Sequence, residues 1–171
     1  MTRRDRYALF GAIIIMAAAA ALWLAPAGLG QAPAVTLKTI DGEAVELGEL
    51  RGRPVLVTFW ATTCQSCMKE IPHLIELHET YHDRGLSIIG VAMSYDPPDQ
   101  VIEFTETHGL PYRIALDVEG DVARAFDDVM LTPTTFLIAP DGRIVMHKIG
   151  LFDTGKVRSL VETMLAKRQA G

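Results

Sequence analysis

Two kinds of residue are scarce in this sequence: cysteines, and basic residues beyond the first few positions. Cys64 and Cys67 are the only cysteines among 171 residues. Structural zinc usually takes four ligands, commonly two cysteine pairs or a cysteine pair with a closely spaced histidine pair. His78 and His82 are four residues apart, but they lie too far along the chain from Cys64 to complete such a site. We therefore predict no metal and no bound cofactor, and we assign these histidines to the surface of a helix.

The shortage of basic residues bears on possible partners. Residues 1–28 contain three arginines and one aspartate, and without them 13 basic residues remain against 20 acidic ones. The remaining chain therefore has a net charge near −7. Proteins that bind nucleic acid need a basic surface to neutralise the phosphates. The composition argues against nucleic acid as a partner.

No charged residue occurs between Arg6 and Lys38, and residues 8–24 are strongly apolar. This run is longer than the core of a usual secretory signal and reaches membrane-spanning length. We predict a signal anchor at residues 1–27, with its transmembrane part at about 7–24. Two A-x-A sites, at 25–27 and 32–34, keep a cleaved signal open as the alternative. In both cases the basic N-terminus stays inside, so the rest of the chain is exported.

The chemistry of the chain is concentrated between residues 54 and 72. Residues 55–60 are an apolar run typical of a strand covered on both faces, and a helix is predicted to begin directly after it. Cys64 and Cys67 lie at i and i+3 at that helix start, where their side chains can meet and form a disulfide. A helix N-terminus favours thiolate, the nucleophile of disulfide exchange. We predict a redox site, with a purely structural disulfide as the alternative.

The rest of the pattern alternates strands and helices. After a linker at 28–34, a single domain is predicted at 35–168, beginning with a β-hairpin around the turn at Asp41 and Gly42. The remaining predicted strands are 55–60, 86–93, 112–116, 135–139 and 143–149, and the predicted helices are 64 to about 84, 100–108, 118–126 and one from Asp153 or Thr154. Strand 55–60, its helix and strand 86–93 form a βαβ unit with parallel strands.

Two motifs give the chain a resemblance to a known family. They are F-W-A-T-T-C-x-x-C at residues 59–67 and T-P-T-T-F-L at residues 132–137. Together they resemble the thioredoxin superfamily and, within it, the membrane-anchored periplasmic thiol-disulfide reductases of the TlpA/ResA type, which are related to the AhpC/TSA redoxins. The resemblance extends over roughly residues 34–167. It implies an α/β, thioredoxin-like fold with a central mixed sheet flanked by helices.

The resemblance also implies roles for individual residues. Cys64 attacks a disulfide in a partner protein, and Cys67 resolves the mixed disulfide. The bond between Thr132 and Pro133 is expected to be cis, with both residues and Trp60 forming the substrate-binding region. The implied partners are a disulfide-containing protein, such as an apocytochrome c during its maturation, and a thiol protein of the inner membrane that donates electrons.

The strand beneath the cysteines departs from the pattern of cytosolic thioredoxins. Those proteins carry a buried acid at the position that here is Thr58, and threonine cannot accept the proton that Cys67 must release. Glu70 lies one helical turn after Cys67, where relatives of the anchored type place a glutamate. We predict that Glu70 accepts this proton. The alternative is an exposed glutamate favoured only by the helix dipole.

Two other functions are alternatives to a thiol-disulfide reductase: a thiol peroxidase and a copper-binding module. A thiol peroxidase is disfavoured because the peroxidase pattern needs Pro and Thr where this chain has Val57 and Ala61. A copper-binding module could use Cys64, Cys67 and a methionine or histidine, although related copper-delivery proteins have three residues between their cysteines. The direction of electron transfer is left open by the sequence.

Overall fold

The computed structural model describes residue 16 and residues 29–169 of the chain. Its elements follow the predicted order, with boundaries within a few residues of those expected. In chain order they are β1 (Thr36–Lys38), β2 (Ala44–Glu46), a 3₁₀-helix (Leu47–Leu50), β3 (Val55–Trp60), α1 (Gln65–Tyr81), β4 (Ser87–Ala92), α2 (Pro98–His108), β5 (Arg113–Leu116), α3 (Asp121–Ala125), β6 (Thr134–Ile138), β7 (Ile144–Ile149) and α4 (Thr154–Gln169).

The central sheet has five strands in the order β5-β4-β3-β6-β7. Strands β3, β4 and β5 are parallel neighbours, whereas β6 pairs antiparallel with both β3 and β7. Helix α1 forms the crossover that parallel strands need between β3 and β4. A tight turn containing Gly142, with φ of +87°, is sufficient for the antiparallel β6 and β7. The mixed sheet that the family resemblance implies is confirmed.

Strand β3 is at the centre of the sheet because both of its faces are apolar, and all six of its residues are buried. Alternate side chains belong to two different core clusters. Leu56 packs in the cluster that includes residues of α1 and α4, and Phe59 packs in the cluster that includes Phe126, just after α3. The helices and the hairpin therefore cover the two faces of one sheet, as the resemblance implied.

The hairpin predicted at the start of the domain is present. Strands β1 and β2 pair antiparallel, and Gly42 in their turn has a φ of +85°. The end of β1 continues to the edge strand β5, where the Ile40 amide donates to the Ile114 carbonyl oxygen at 2.9 Å. The hairpin therefore covers part of an edge whose backbone groups would otherwise be unpaired.

The register of the sheet defines its two ends. Phe59 pairs with Thr134 and Val55 with Ile138, so Cys64 and the start of β6 lie at one end, here called the cysteine end. The turn between β6 and β7 lies at the other end, here called the linker end. There the Ala32 amide donates to the Gly142 carbonyl oxygen, and the Ile144 amide donates to the Gly30 carbonyl oxygen, each at 2.9 Å. Part of the expected linker is therefore joined to the sheet.

Apart from residue 16, the predicted transmembrane part at 7–24 lies outside the described residues. Within residue 16 and residues 29–169, the helices are all too short or too polar to cross a membrane.

Candidate active site

Cys64 is at the N-cap of α1, immediately after the loop that leaves β3. Its backbone is extended (φ −86°, ψ 102°), and its Sγ accepts a hydrogen bond from the Cys67 amide at 3.2 Å. Cys64 is half-buried, whereas Cys67 is only 2 % exposed. The two are joined by a disulfide with a Cα–Cα distance of 5.2 Å. A partner can therefore reach the Cys64 sulfur but not the Cys67 sulfur without movement of the protein.

Glu70 lies behind the cysteines and is almost completely buried, at 2 % exposure. The alternative of an exposed helix-start glutamate is therefore wrong, because the side chain points into the core below the first turn of α1. Its Oε1 accepts a hydrogen bond from the Phe152 amide at 3.2 Å. Burial raises the pKa of Glu70 from its ordinary value of 4.5 to about 7, and hydrogen bonds from Phe152, Thr135 and Thr58 oppose this rise in part. Such a carboxyl can gain or lose a proton at neutral pH.

Two threonines form the polar floor beneath Glu70. Thr58 of β3 and Thr135 of β6 are paired in register, and their hydroxyl oxygens are 2.9 Å apart. Each hydroxyl oxygen is also 3.5 Å from Glu70 Oε2. Each hydroxyl has a single proton, so only one of the two can donate to Glu70 while the bond between them is made. Few hydrogen-bond donors therefore reach the carboxylate, and the cost of burying its charge outweighs them and raises the pKa.

The loop between β3 and Cys64 is fixed by a residue that the sequence analysis missed. Asp96 is 5 % exposed, and its two carboxylate oxygens accept hydrogen bonds from the amide and the hydroxyl of Thr62, both at 2.6 Å. Asp96 follows β4, the parallel neighbour of β3. The sequence contained a signal for this contact. The carboxyl ends of neighbouring parallel strands meet at one edge of a sheet, so an acidic residue just after β4 is expected to lie close to the loop just after β3.

The loop before β6 also lies at the cysteine end. The peptide bond between Thr132 and Pro133 is cis, which confirms what the resemblance implied. Thr132 is half-buried and Pro133 is buried, while the Pro133 carbonyl oxygen accepts a hydrogen bond from the Gly150 amide at 2.7 Å. The Thr132 hydroxyl is 3.5 Å from the Tyr95 hydroxyl. The structure therefore brings the loop after β4 and the loop before β6 together.

Trp60, the third residue predicted to bind substrate, lies in the core at 4 % exposure. Its ring is 5.4 Å from that of Phe104 in α2, centroid to centroid. Gly90 on β4 makes room for the indole, since a Cβ there would be 3.0 Å from the Trp60 Nε1. An influence of Trp60 on a substrate would therefore act through the residues that it supports.

Exposed apolar side chains surround Thr132. Met130 and Leu131 precede it, Tyr95 contacts it, and Leu151 follows the glycine that bonds to Pro133. Their exposed fractions are 82 % for Met130, 62 % for Leu131, 58 % for Tyr95 and 46 % for Leu151. Adjacent exposed apolar side chains of this kind are typical of protein interaction sites.

Among residue 16 and residues 29–169, no three His, Cys, Asp or Glu side chains are placed to hold a metal ion together. His78 and His82 stack on each other on α1, with ring centroids 4.4 Å apart. Desolvation, and then the neighbouring His82, lower the pKa of His78.

Comparison with known proteins gives results that agree with this geometry. The AhpC/TSA family model matches residues 30–147. A thiol-disulfide oxidoreductase ResA of Halalkalibacterium halodurans is 35 % identical over 135 residues, which cover 79 % of this chain and 73 % of the relative. The ResA of Bacillus subtilis is 33 % identical over 114 residues, covering 67 % of this chain and 63 % of the relative. The matched part of the chain therefore spans about two thirds, or slightly less, of several of these relatives.

Solved structures show the same fold. A thiol:disulfide interchange protein of the thioredoxin family from Chlorobium tepidum has a TM-score of 0.71 at 26 % identity, covering 80 % of this chain and 96 % of its own. StoA from Bacillus subtilis has a TM-score of 0.63 at 26 % identity, covering 74 % and 98 %. The sheet, the cysteine pair, the cis-proline and these similarities agree: the chain belongs to the AhpC/TSA family, as a thioredoxin-like protein of the group that contains the ResA thiol-disulfide oxidoreductases.

Proposed function

We propose that the protein is a thiol-disulfide oxidoreductase that works as a reductase of protein disulfides. The observation that carries this proposal is the asymmetry of the cysteine pair. Cys64 is accessible at a helix N-terminus, while Cys67 is buried one turn further, on the same face as the buried Glu70. A disulfide that only stabilised the fold would not need one accessible sulfur and a titratable carboxyl beside the other.

The reaction has two steps. In the first, the Cys64 thiolate attacks one sulfur of the partner disulfide, a mixed disulfide forms, and the partner's other sulfur leaves as a thiolate. In the second, the Cys67 thiol gives its proton to the Glu70 carboxylate and attacks the Cys64 sulfur. The bond between Cys64 and the partner breaks, and the second partner sulfur leaves. The partner has gained two electrons, and the protein has become the Cys64–Cys67 disulfide.

Substrate binding is assigned to the loop before β6. The backbone of Thr132 can pair with an extended segment of a partner, as in other modes of strand addition. The exposed Met130, Leu131 and Tyr95 surround this backbone and offer apolar contacts for the residues that flank the partner's cysteine. A protein substrate is favoured over a small disulfide because these exposed apolar side chains lie at the same end of the sheet as Cys64.

The location and the partners complete the proposal. The apolar run after a basic N-terminus supports an anchor in the inner membrane, with the catalytic domain in the periplasm. The similarity to the ResA proteins supports a disulfide-containing protein as substrate. A membrane thiol-disulfide protein as electron donor, and a role in cytochrome c maturation, follow from the family resemblance.

The proposal is tested by disulfide reduction with the purified full-length protein. The dithiol form should reduce insulin disulfides, Cys64→Ser should abolish the reaction, and Cys67→Ser should accumulate a mixed disulfide through Cys64. A thiol peroxidase, suggested by the AhpC/TSA match, requires rapid consumption of hydrogen peroxide instead. A copper module requires a tight 1:1 copper complex of the reduced protein. Insulin left unreduced by the dithiol form would overturn the proposal.

A further inference from the structure

Six exposed basic residues gather at the linker end of the domain, although the domain as a whole is acidic. They are nearly half of the 13 basic residues that follow residue 28. We call them the basic cluster, and its members are Arg51, Arg53, Arg84, Arg143, Lys167 and Arg168.

Contacts at the linker end bring these residues together from four parts of the chain. The Arg51 guanidinium lies over Gly142, where a Cβ would be 3.2 Å from the Arg51 Nε, and Arg143 follows directly. The Arg168 guanidinium lies over Gly85, next to Arg84, in the space that a side chain at position 85 would need. Arg51, Arg53 and Gly142 also line one surface pocket, and Arg143, Lys167 and Arg168 line one groove, so the members of the cluster are neighbours on one side of the domain.

Most of this positive charge is not neutralised by the protein. Arg143 pairs with Asp141 at 2.7 Å, and both side chains are about half exposed. Within the described part of the chain, the other five members form no ion pair. The Asp141 charge offsets that of Arg143, so the excess positive charge of the cluster comes from its other five members.

A groove runs beside the cluster, between the edge strand β7 and α4. Its volume is about 460 Å³, and its charged lining residues are Arg143, Lys167 and Arg168 with one acidic residue, Asp141. Val145, Leu160 and Met164 contribute apolar surface within it. Basic groups around an apolar groove match a molecule that has an anionic head and an apolar body.

We propose that the basic cluster docks the domain on a bilayer containing anionic phospholipids, with acyl or glycerol groups against the groove. The charge is complementary, and residues 30–32, through which the chain reaches the domain, are joined to the sheet at the same end. Each lysine or arginine close to an anionic surface strengthens attachment about fivefold. For its geometry this proposal rests on the proposed membrane attachment, but it does not depend on the redox activity.

Docking at the linker end would set the direction in which the disulfide faces. Strand β3 runs from the linker end to the cysteine end, and its six residues span about 20 Å. With the basic cluster on the lipid, Cys64 would face the aqueous compartment, on the side of the domain away from the membrane. A partner would then approach the sulfur without competing with the bilayer.

Lysine acylation of the full-length protein in lipid nanodiscs tests this orientation. Lys167, near the end of α4, belongs to the basic cluster. Lys156, at the start of α4, and Lys148, on β7, are also exposed but lie nearer the cysteine end. In nanodiscs of phosphatidylcholine with about one third phosphatidylglycerol, Lys167 should be acylated at least fivefold more slowly than in pure phosphatidylcholine. Lys148 and Lys156 should react at equal rates in both. Raising the salt to about 0.5 M should remove the difference, since screening then acts within a few ångströms.

Variants and a soluble anion complete the test. Arg53→Glu with Arg143→Glu should abolish the protection of Lys167, whereas the matched pair Lys148→Glu with Lys156→Glu should keep it. Equal acylation of Lys167 in the two lipids, or equal slowing of all three lysines, would overturn the proposal. Protection of Lys167 by inorganic phosphate in neutral nanodiscs would also overturn it, by showing a free-anion site. Co-elution with neutral nanodiscs reports on the anchor separately.

Discussion

Replacing Glu70 by glutamine should make the protein more stable at alkaline pH and slower as a catalyst. The side chain is 2 % exposed, and burial raises its pKa from 4.5 to about 7. Glutamine keeps the shape and can still accept the Phe152 amide hydrogen bond, but it carries no charge to bury and takes up no proton. The same property that fits Glu70 for proton transfer should therefore cost stability.

The sign of the effect follows from linkage between protonation and folding. Below about pH 4.5 the carboxyl is protonated in both the folded and the unfolded protein, so folding is not opposed by ionisation. Between pH 4.5 and about 7 the unfolded chain ionises this carboxyl while the folded protein keeps it protonated, so the free energy of unfolding falls as the pH rises; above about 7 both states carry the carboxylate and the loss is complete. At about 1.4 kcal/mol per pH unit, the loss reaches about 3 kcal/mol. Glu70→Gln removes this loss.

The stability assay is urea unfolding of the oxidised full-length protein in mild detergent, at several pH values. The free energy of unfolding of Glu70→Gln relative to the natural protein should rise by about 2 to 3 kcal/mol between pH 5 and pH 8. Glu79→Gln is the matched control, because Glu79 lies on the same helix with its side chain exposed. Its difference from the natural protein should not depend on pH by more than a few tenths of a kcal/mol.

The catalytic assay follows the decay of the mixed disulfide after rapid mixing with a disulfide peptide. Loss of general base assistance should slow this step on the order of a hundredfold in Glu70→Gln, with little change in the first attack by Cys64. An unchanged rate of decay together with a pH-independent stability difference would refute the reasoning. Glu70 would then be a buried polar residue without a role in proton transfer.

Three further predictions concern the cysteines and two buried aspartates. In the reduced protein near neutral pH, iodoacetamide should label Cys64 before Cys67, because only Cys64 is accessible. Mass spectrometry measures the order of labelling, and labelling of Cys67 first would make Cys67 the nucleophile. Asp96→Asn should weaken the two hydrogen bonds from Thr62 and lower the free energy of unfolding by about 2 kcal/mol. It should also change the alkylation rate of Cys64, which a purely structural role of Asp96 would not do. Asp117→Ala should cost about 2 to 3 kcal/mol in urea unfolding, since its carboxylate accepts two amide hydrogen bonds at the start of α3, and the alkylation rate of Cys64 should stay unchanged.

The parts of the fold that depend on neighbouring residues could be predicted from the sequence. Strand β3 and the helix start at Cys64 are continuous in the chain, and their apolar pattern and cysteine spacing define both. The hairpin turn at Asp41 and Gly42 was found for the same reason, because its signal is local. The cis bond before Pro133 came from the family resemblance and not from physical reasoning on the residues.

Helix α3 shows how a local pattern can place a boundary wrongly. The apolar spacing predicted a helix over 118–126, but the structure has one at Asp121–Ala125. Gly120 has a φ of +71°, a left-handed conformation that cannot be part of a right-handed helix, so α3 begins only after it. The Asp117 carboxylate accepts hydrogen bonds from the amides of Val122 and Ala123 at the start of α3. Positive φ values at Asp127 and Asp128 follow its end. The pattern of apolar residues carries no information about these backbone conformations.

The surroundings of Glu70 could not be predicted, because they come from distant parts of the chain. Its spacing from Cys67 indicated a shared helix face, but its partners Thr135 and Phe152 are 65 and 82 residues away. The bond between Asp96 and Thr62 likewise spans 34 residues. Contacts of this kind exist only once the sheet has set its register, so the sequence predicted proton transfer by Glu70 but not the hydrogen-bond partners that hold it.

The reduction potential of the Cys64–Cys67 pair tests the central claim most directly. The full-length protein would be equilibrated with glutathione redox buffers, and its thiols trapped by alkylation and counted by mass spectrometry. We predict a reversible two-electron couple at about −270 to −200 mV, the reducing part of the range of related C-x-x-C pairs, whereas a potential near −120 mV would mark an oxidant. A disulfide that stays oxidised in every buffer, with a potential below about −300 mV, would mark a structural bridge and contradict the proposed function.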